Sequence, residues 1–295
     1  MPKTQIITLI APSDSSLLDH ATAMRLSSAV EARAMNILSP GSVVELVSDA
    51  DKPVELIKAT LGDPDLIDIA VQPWRENRRK RLLLADMDST MIQQECIDEL
   101  AAEVGVKEHV SQITRRAMNG EIEFDAALRE RVALLKGLPA SIIDKVIADR
   151  ITLMPGGPEL VRTMRKHGAY CALVSGGFTD FTSRIAEIIG FQENRANQLE
   201  KKDGLLTGKV LEPILGKQAK LDTMNALCDR LRLTRDDVLA VGDGANDLAM
   251  IEAADLGVAL HAKPSVAAQA DVRIDHGDLT ALLYLQGYRE NEFVK

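Results

Sequence analysis

The N-terminal part of the chain alternates short apolar stretches with amphipathic segments. Alternating or continuous apolar runs predict strands, and apolar residues at helical spacing predict helices. The predicted strands are residues 4–11, 35–38, 42–47 and 66–71, and the predicted helices are residues 15–33 and 53–61. Ser39, Pro40 and Gly41 form a turn signal between the second and third strands, which favours a hairpin. The order βαββαβ predicts a small α+β domain over residues 1–79, with an antiparallel sheet and helices on one face.

A strongly charged stretch, residues 75–81, follows this unit. A run of Arg, Lys and Glu between two patterned regions is typical of a connector, and a solvated connector is favoured here over an anion-binding patch. We therefore expect a second domain over residues 80–295.

The pattern changes after the connector, because short continuous apolar runs replace the alternating ones. Such runs are typical of strands that are buried on both faces of a sheet. They occur at residues 82–85, 170–174, 238–241, 257–259 and 272–274, and helical patterns occur at residues 158–167, 179–189, 219–231 and 248–253. This alternation predicts an α/β fold with a parallel, Rossmann-like sheet, whose ligands bind beyond the carboxyl ends of the strands.

One stretch, residues 93–154, interrupts the alternation. It carries helical periodicity at residues 97–104, 110–119, 124–135 and 141–149, without a strand pattern between them. An insert at the carboxyl end of the first strand is placed to cover a ligand site. We therefore predict a core of residues 80–92 and 155–295 with a helical cap of about residues 93–154.

Composition narrows the class of function. Apolar residues make up 46% of the chain but aromatic residues only 3%, so the cores must be built mainly from aliphatic side chains. The formal net charge of −9 argues against a general nucleic-acid binder, which needs clustered Lys and Arg. A small anionic substrate stays compatible with it, because a local pocket can be positive on an acidic protein.

Three cysteines, Cys96, Cys171 and Cys228, are far apart and odd in number, which matches neither a disulfide framework nor a zinc site. The sequence begins without the pattern of a secretory signal and contains no apolar run of the ~20 residues that a membrane span needs. We expect a soluble, cytoplasmic protein with no membrane partner.

Four short motifs follow predicted strands or begin predicted helices. Each has an ordinary structural interpretation on its own: an Asp-x-Asp pair can be a turn or a cap, glycines often follow a strand, and a lysine near a helix start is usually solvated. Carboxylates placed after buried strands nevertheless suit Mg²⁺, and Gly-rich turns suit an oxyanion. The residues concerned are Asp86 and Asp88, Ser175 to Gly177, Lys220, and Asp243 to Asp247.

Together and in this order, the motifs resemble the haloacid dehalogenase superfamily of aspartate-nucleophile phosphotransferases, over about residues 82–275. Within it, the chain is similar to the phosphoserine phosphatases. The similarity is carried by Asp86-Met87-Asp88-Ser89-Thr90, Glu95, Thr114 to Met118, Phe124, Arg131, Leu173 to Phe178 and Val241 to Asp247. The resemblance implies a haloacid dehalogenase core with a helical cap.

The resemblance also implies catalytic roles and a cofactor. Asp86 would attack phosphorus and form an aspartyl-phosphate, and Asp88 would be the general acid and then the general base. Mg²⁺ would be held by the carboxylates of Asp86 and Asp243 and by the main-chain carbonyl of Asp88, with Asp247 nearby. Such a cation is needed because an anionic nucleophile approaches a dianionic phosphate.

Substrate recognition is implied in the same way. Ser175, Gly176 and Lys220 would hold the phosphoryl oxygens. In the cap, Glu95 would pair with the substrate ammonium and Arg131 would bind the carboxylate through its planar fork. Both lie on helical surfaces, where a charge is most often simply solvated.

Asn246 would add a substrate contact, although it could equally cap the helix that follows. The implied reaction is hydrolysis of O-phospho-L-serine to L-serine and phosphate, the last step of serine biosynthesis.

Several alternatives stay open at this point. The substrate could be another small phosphate ester, or the phosphoryl group could pass to an acceptor alcohol. A sensor with a degenerate phosphatase fold is disfavoured by the intact Asp86, Asp88, Lys220 and Asp243. A dehalogenase is disfavoured because it does not require Asp88. The N-terminal unit loosely resembles an amino-acid-sensing ACT domain, and we expect it to assist sensing or a homodimer.

Overall fold

The computed structural model describes residues 4–13, 15–62, 65–118 and 121–295. The N-terminal unit contains four strands and two helices in the order βαββαβ. They are β1 (Gln5–Ile10), α1 (His20–Ala29), β2 (Ala34–Ser39), β3 (Val43–Ser48), α2 (Pro53–Leu61) and β4 (Asp68–Pro73). The strands form one antiparallel sheet in the order β2-β3-β1-β4, which confirms the predicted order and hairpin.

Helix α1 is shorter than predicted. The apolar spacing predicts a helix over residues 15–33, but the side chain of Asp19 accepts a hydrogen bond from Thr22 N and caps a helix that begins at His20. Upstream, Leu18 pairs with Gly41 of the hairpin. Downstream, Glu31 has φ +49°, which ends the helix. Leu18 and Val30 are buried, so the apolar pattern reflects burial of a loop at both ends.

The second part of the chain is built on a six-stranded parallel sheet in the order β12-β11-β10-β5-β6-β7. Its strands are β5 (Leu82–Ala85), β6 (Tyr170–Phe178), β7 (Glu193–Asn197), β10 (Val238–Gly242), β11 (Leu256–Leu260) and β12 (Val272–Ile274). Its helices are α7 (Gly157–Lys166), α8 (Thr179–Ile189), α9 (Lys217–Leu231), α10 (Leu248–Ala253), α11 (Pro264–Ala267) and α12 (Ala281–Leu285). The predicted α/β fold is confirmed.

Both faces of this sheet are buried, as the continuous apolar runs predict. Along β5, Leu83 and Ala85 pack into one apolar cluster with α7, α8 and α12, while Leu82 and Leu84 pack into a second cluster with α9 and α10. Strand order reverses between β5 and β10, because the chain moves outwards in opposite directions from these two neighbours. This switch point is where open α/β sheets place their ligands.

The insert between β5 and β6 is helical, as predicted. It contains α3 (Cys96–Ala102), α4 (Lys107–Met118), α5 (Phe124–Ala133) and α6 (Ile142–Arg150). The predicted second helix ends at Asn119, which lies outside the described residues. The insert joins the core through two antiparallel segments, where Gln93 N donates to Thr152 O at 2.9 Å and Met154 N donates to Met91 O at 2.9 Å. The cap is therefore held on two adjacent strand-like connections.

A hairpin of β8 (Leu199–Lys202) and β9 (Leu205–Val210) was not predicted. It packs against the cap, where Gly137 N donates to Leu206 O and Leu206 N donates to Leu138 O, both at 2.8 Å. The strands are short and carry several Lys and Glu residues, so they lack the apolar pattern from which a strand is recognised.

The connector is only partly solvated, so the prediction is wrong for its middle part: residues 75–77 and 81 are exposed, whereas Arg78 is partly buried and Lys80 is buried. Lys80 is buried, and its ammonium pairs with Asp255 and donates to Asp236 O at 2.8 Å. Arg78 pairs with Glu45 of β3 and donates to Leu285 O at 3.0 Å. The charges serve to attach the N-terminal unit, because buried ammonium and guanidinium groups require partners.

The two sheets also meet through apolar and polar contacts. The face of the N-terminal sheet opposite α1 and α2 contributes Ile10, Leu38, Val43 and Ala70 to the main apolar cluster. At the rim, the carboxylate of Asp68 accepts hydrogen bonds from the amides of residues 275–277, with distances of 2.7 to 3.3 Å. Asp68 is 4% exposed, so these amides rely on it in place of water.

We expect Asp68→Asn to lower the free energy of unfolding by about 1–3 kcal/mol, because an NH₂ group would replace an oxygen that faces backbone N–H donors. Urea denaturation of the full chain measures this change. Asp65→Asn is the matched control, since Asp65 lies three positions earlier and is exposed. Equal stability of the two variants would mean that Asp68 does not stabilise the contact between the sheets.

Candidate active site

The candidate site lies at the carboxyl end of β5, where Asp86 follows the strand directly. Asp86 N donates to Val241 O of β10 at 3.0 Å, which continues the sheet by one residue. The chain then turns sharply, and the amides of Thr90, Met91 and Ile92 all lie within 3.3 Å of Met87 O. The turn leaves the carboxylates of Asp86 and Asp88 buried at the switch point.

Asp88 is held by two elements. Its Oδ1 accepts a hydrogen bond from Cys96 N, the first residue of α3, at 2.8 Å, and its Oδ2 accepts one from Ser175 Oγ at 3.2 Å. Burial raises the pKa of Asp88, although the bonds from Cys96 and Ser175 oppose the shift. A carboxyl group with a raised pKa and a fixed orientation suits a general acid.

The end of β6 requires glycine beside this carboxyl group. A Cβ atom on Gly177 would lie 2.8 Å from Asp88 Oδ2, which is too close for a real contact. Gly177 N in turn donates to Ser175 Oγ at 2.8 Å, which orients the hydroxyl. Asn197 of β7 supports this turn, because its side-chain amide donates to Gly176 O at 2.9 Å.

Lys220, in the first turn of α9, lies between two carboxylates. Its Nζ is 2.6 Å from Asp86 Oδ1 and donates to Asp247 Oδ1 at 2.5 Å, and all three side chains are buried. Burial acts to lower the pKa of Lys220, but Asp247 and Asp86 outweigh it and raise the pKa. The ammonium is therefore a permanent positive charge next to the proposed nucleophile.

The loop after β10 brings Asp243 and Asp247 to the same place. Asp247 Oδ2 accepts hydrogen bonds from Asp243 N at 3.2 Å and Gly244 N at 3.0 Å, so both of its oxygens are engaged. A Cβ atom on Gly242 would lie 2.3 Å from Asp247 Cγ, which explains the glycine before this loop. Asp243, by contrast, has a buried Oδ1 without a hydrogen-bond partner in the described part of the chain.

These residues fit a divalent cation. Carboxylate oxygens of Asp86, Asp243 and Asp247 lie within 4.8 Å of one another, and all three residues are buried. Burial, followed by the charge of Asp247, raises the pKa of Asp86 well above its usual range, and burial raises the pKa of Asp243 to about 6. Three carboxyl groups share this site, whereas the ammonium groups that contact them are those of Lys220 and of Lys263, which pairs with Asp243. A bound divalent cation would compensate the remaining negative charge.

The cap faces this cluster across a small cleft. Seven of the nine predicted site residues line it directly: Asp86, Asp88, Glu95, Arg131, Ser175, Gly176 and Asn246. The other two do not line the cleft but lie next to Asp86: Lys220 contacts it directly, and Asp243 belongs to the same carboxylate cluster. The apolar remainder of the wall is Ile97, Phe124, Leu128 and Phe178.

Opposite charges approach the cleft from two cap elements. Glu95 precedes α3 and accepts a hydrogen bond from Ser89 Oγ at 2.7 Å. Burial in the cleft, with Asp88 and Asp243 nearby, raises the pKa of Glu95 to about 8. A positively charged group that enters the cleft would stabilise the ionised form of Glu95.

Arg131 lies on α5 and is only 4% exposed. Its Nε donates to Ala127 O at 3.1 Å and its Nη1 to Thr114 Oγ1 at 3.0 Å, both of which are neutral acceptors. No ion pair found among the described residues involves Arg131. Burial lowers the pKa of Arg131, although the charges of Glu95, Asp98 and Asp88 oppose the shift. The hydrogen bonds described for the guanidinium therefore leave it able to bind a carboxylate that enters the cleft.

Asn246 has a buried side-chain oxygen without a hydrogen-bond partner in the described ranges. Asn246 precedes α10 but is not its N-cap residue, because that position is occupied by Asp247. Its position in the wall of the cleft favours a ligand contact over the capping role.

Lys263 was missed by the sequence analysis. It pairs with Asp243 at the edge of the site. A signal was present, because Lys263 comes three residues after β11, at the edge of the sheet where the other site residues collect.

Comparison with known proteins identifies the family of this chain. Residues 83–252 match the model of the haloacid dehalogenase-like hydrolases. The chain belongs to this family. A phosphoserine phosphatase of Archaeoglobus fulgidus is 44% identical over 217 residues, which cover 73% of this chain and 63% of that protein. The match spans about three fifths of the length of the first curated relatives.

Two solved structures show the same fold. The unliganded probable phosphoserine phosphatase of Vibrio cholerae is 33% identical, with a TM-score of 0.75, and the match covers 97% of this chain and 86% of that chain. A substrate-bound phosphoserine phosphatase is 40% identical, with a TM-score of 0.67, and the match covers 71% of this chain and 99% of that chain. The first match extends into the N-terminal unit, whereas the second match covers a smaller share of this chain.

Proposed function

We propose that the protein hydrolyses O-phospho-L-serine to L-serine and phosphate, as the last step of serine biosynthesis. The observation that carries this proposal is that Glu95 and Arg131 both line the cleft that Asp86, Asp88 and Ser175 also line. Phosphoserine has an ammonium, a carboxylate and a phosphate, and the cleft offers one complementary group for each. The similarity to phosphoserine phosphatases supports the same substrate.

The reaction proceeds in two steps. Asp86 attacks phosphorus, the bond to the serine oxygen breaks, and Asp88 gives that oxygen its proton. Asp88, now a carboxylate, takes a proton from a water molecule that attacks the aspartyl-phosphate, which regenerates Asp86 and releases phosphate. Ser175, the Gly176 amide and Lys220 hold the phosphoryl oxygens throughout, and Lys220 Nζ already lies 2.6 Å from Asp86.

We propose Mg²⁺ as the cation, held by the carboxylates of Asp86 and Asp243 and by the main-chain carbonyl of Asp88. Asp247 is assigned a supporting place because Lys220 and two amides occupy its oxygens. When bound, the cation reduces repulsion between the nucleophile and the phosphate.

The function is tested with a panel of phosphate esters, assayed in Mg²⁺ and in EDTA. Phosphoethanolamine lacks the carboxylate, 3-phosphooxypropanoate lacks the ammonium, and p-nitrophenyl phosphate lacks both. We expect phosphoserine to have the highest kcat/KM and EDTA to remove activity on every ester. A preference for another ester would assign the same chemistry to a different small phosphate.

For the metal, we expect Asp243→Asn to raise the Mg²⁺ concentration for half-maximal activity by at least about tenfold, since even disturbing the surroundings of a metal ligand costs that much. Excess Mg²⁺ should restore activity only in part. Titration of phosphate release with Mg²⁺ measures the change. An unaltered Mg²⁺ requirement would remove Asp243 from the proposed set of ligands.

We also propose the domain division 1–79 and 80–295, with core residues 80–92 and 155–295 and a cap of about 93–154.

The described part of the chain has no helix suited in length and apolarity to crossing a bilayer. Cys96, Cys171 and Cys228 are free and buried, which supports a reducing compartment, and we place the protein in the cytoplasm. The ACT-like role of the N-terminal unit and the homodimer stay predictions.

A further inference from the structure

The two carboxylate oxygens of Asp243 have different surroundings. Oδ2 forms an ion pair with the ammonium of Lys263. Oδ1 is buried and has no hydrogen-bond partner in the described portion of the chain. One oxygen is therefore held by the protein while the other keeps its lone pairs for a ligand.

Lys263 is attached to Asp243 through its main chain as well. Lys263 N donates to Asp243 O at 3.1 Å, so the segment after β11 and the loop after β10 are tied together. The Lys263 side chain is 30% exposed, whereas that of Asp243 is 1% exposed. A partly exposed side chain thus holds a buried carboxylate, and the backbone contact fixes where that side chain begins.

Lys263 has two opposing effects on a cation at this site. Its charge repels the cation, whereas its hydrogen bond fixes the plane of a carboxylate that otherwise rotates in a broad torsional well. The Lys263 side chain is partly exposed, so water screens part of the repulsion. The orientation of Asp243 is not screened, because it depends on a direct contact to a buried side chain. The orienting effect should therefore dominate.

We propose that Lys263 is a positioning residue for the divalent cation: it holds Asp243 Oδ2 so that Oδ1 is presented as the ligand. The catalytic consequence rests on the proposed function, whereas the effect on cation binding does not. Groups that orient metal ligands in this way typically contribute 10–100-fold to metal affinity.

The test measures binding of Mn²⁺ to the full chain by electron paramagnetic resonance of the free ion. Lys263→Met should bind Mn²⁺ about 10–100-fold more weakly than wild type, and Lys263→Arg, which keeps donor and charge, should restore most of the loss. Lys107→Met is the matched control. Lys107 lines the same groove as Lys263, but its ammonium pairs with Glu99, 2.6 Å away.

Circular dichroism and thermal unfolding in EDTA check that the variants fold. If Lys263→Met does not fold, Lys263→Gln decides, because it removes the charge and keeps a hydrogen-bond donor. The Lys263→Gln variant is expected to bind Mn²⁺ more weakly than wild type, since a neutral amide holds the Asp243 carboxylate less firmly than an ammonium does.

Binding equal to or tighter than wild type in the Met or Gln variant would overturn the proposal, as would an equal loss in Lys107→Met. If wild type binds Mn²⁺ but releases no phosphate from phosphoserine, the proposed function fails and this inference stands.

Discussion

Asp86→Asn should abolish phosphate release from phosphoserine, with a loss of roughly 10⁴-fold or more, as when other covalent catalysts lose their nucleophile. An amide is a poor nucleophile, and it also loses the charge that Lys220 contacts at 2.6 Å. The change is nearly isosteric, and Asp86 is buried at the end of β5, so the fold should be retained.

The intermediate can be measured directly. Brief reaction with ³²P-phosphoserine and acid quenching should leave an acid-stable, hydroxylamine-sensitive label on wild type and none on Asp86→Asn. Asp222→Asn is the control, because Asp222 is exposed on α9, two residues from Lys220. Full activity of folded Asp86→Asn, or labelling of that variant, would rule out Asp86 as the nucleophile.

Arg131→Ala should lower kcat/KM for phosphoserine by about 2–4 kcal/mol, or roughly 30- to 1000-fold, because the substrate carboxylate would lose its buried partner. The loss should be much smaller for p-nitrophenyl phosphate, which has no carboxylate. Glu95→Gln should show the same selectivity through the ammonium. Steady-state kinetics of each variant on both esters gives the comparison.

Arg129→Ala provides the control on the same helix. Arg129 is exposed, pairs with Glu212 at 2.8 Å and does not line the cleft, so its removal should leave both reactions near wild type. If Arg131→Ala reduces both reactions equally, Arg131 supports the cap and does not select the substrate, and the phosphoserine assignment loses its main structural argument.

Much of the fold could be predicted because its signals are local. The runs at residues 82–85 and 272–274 match β5 and β12 at both ends, since a strand buried on both faces must be apolar throughout. Helices α2, α8 and α10 also begin and end where predicted, where Gly or a strand bounds the apolar pattern. Helix α1 could not be delimited, because Leu18 and Val30 are buried outside it and so extend the helical pattern.

Elements that depend on distant partners were missed. The β8–β9 hairpin buries Leu199 and Leu206 in the main apolar cluster and forms backbone contacts to the cap, but its apolar residues are too few to form a recognisable strand pattern. The charged connector was predicted to be solvated, which is wrong for Arg78 and Lys80. Residue type alone does not distinguish an Arg or Lys that is buried against Glu45 or Asp255 from one that is solvated.

By itself, the sequence determined five of the six strands of the parallel sheet, all except β7, together with the place of the insert and the residues available for phosphoryl chemistry. Periodicity records which side of each element is buried, and the motifs lie at strand ends, where a parallel sheet collects them. Only the tertiary structure decided which charged groups meet: Lys220 lies between Asp86 and Asp247, Lys263 pairs with Asp243, and Arg131 donates to the neutral oxygens of Ala127 and Thr114. Charge pairing depends on distances between residues far apart in the chain, and residue spacing along the sequence does not encode those distances.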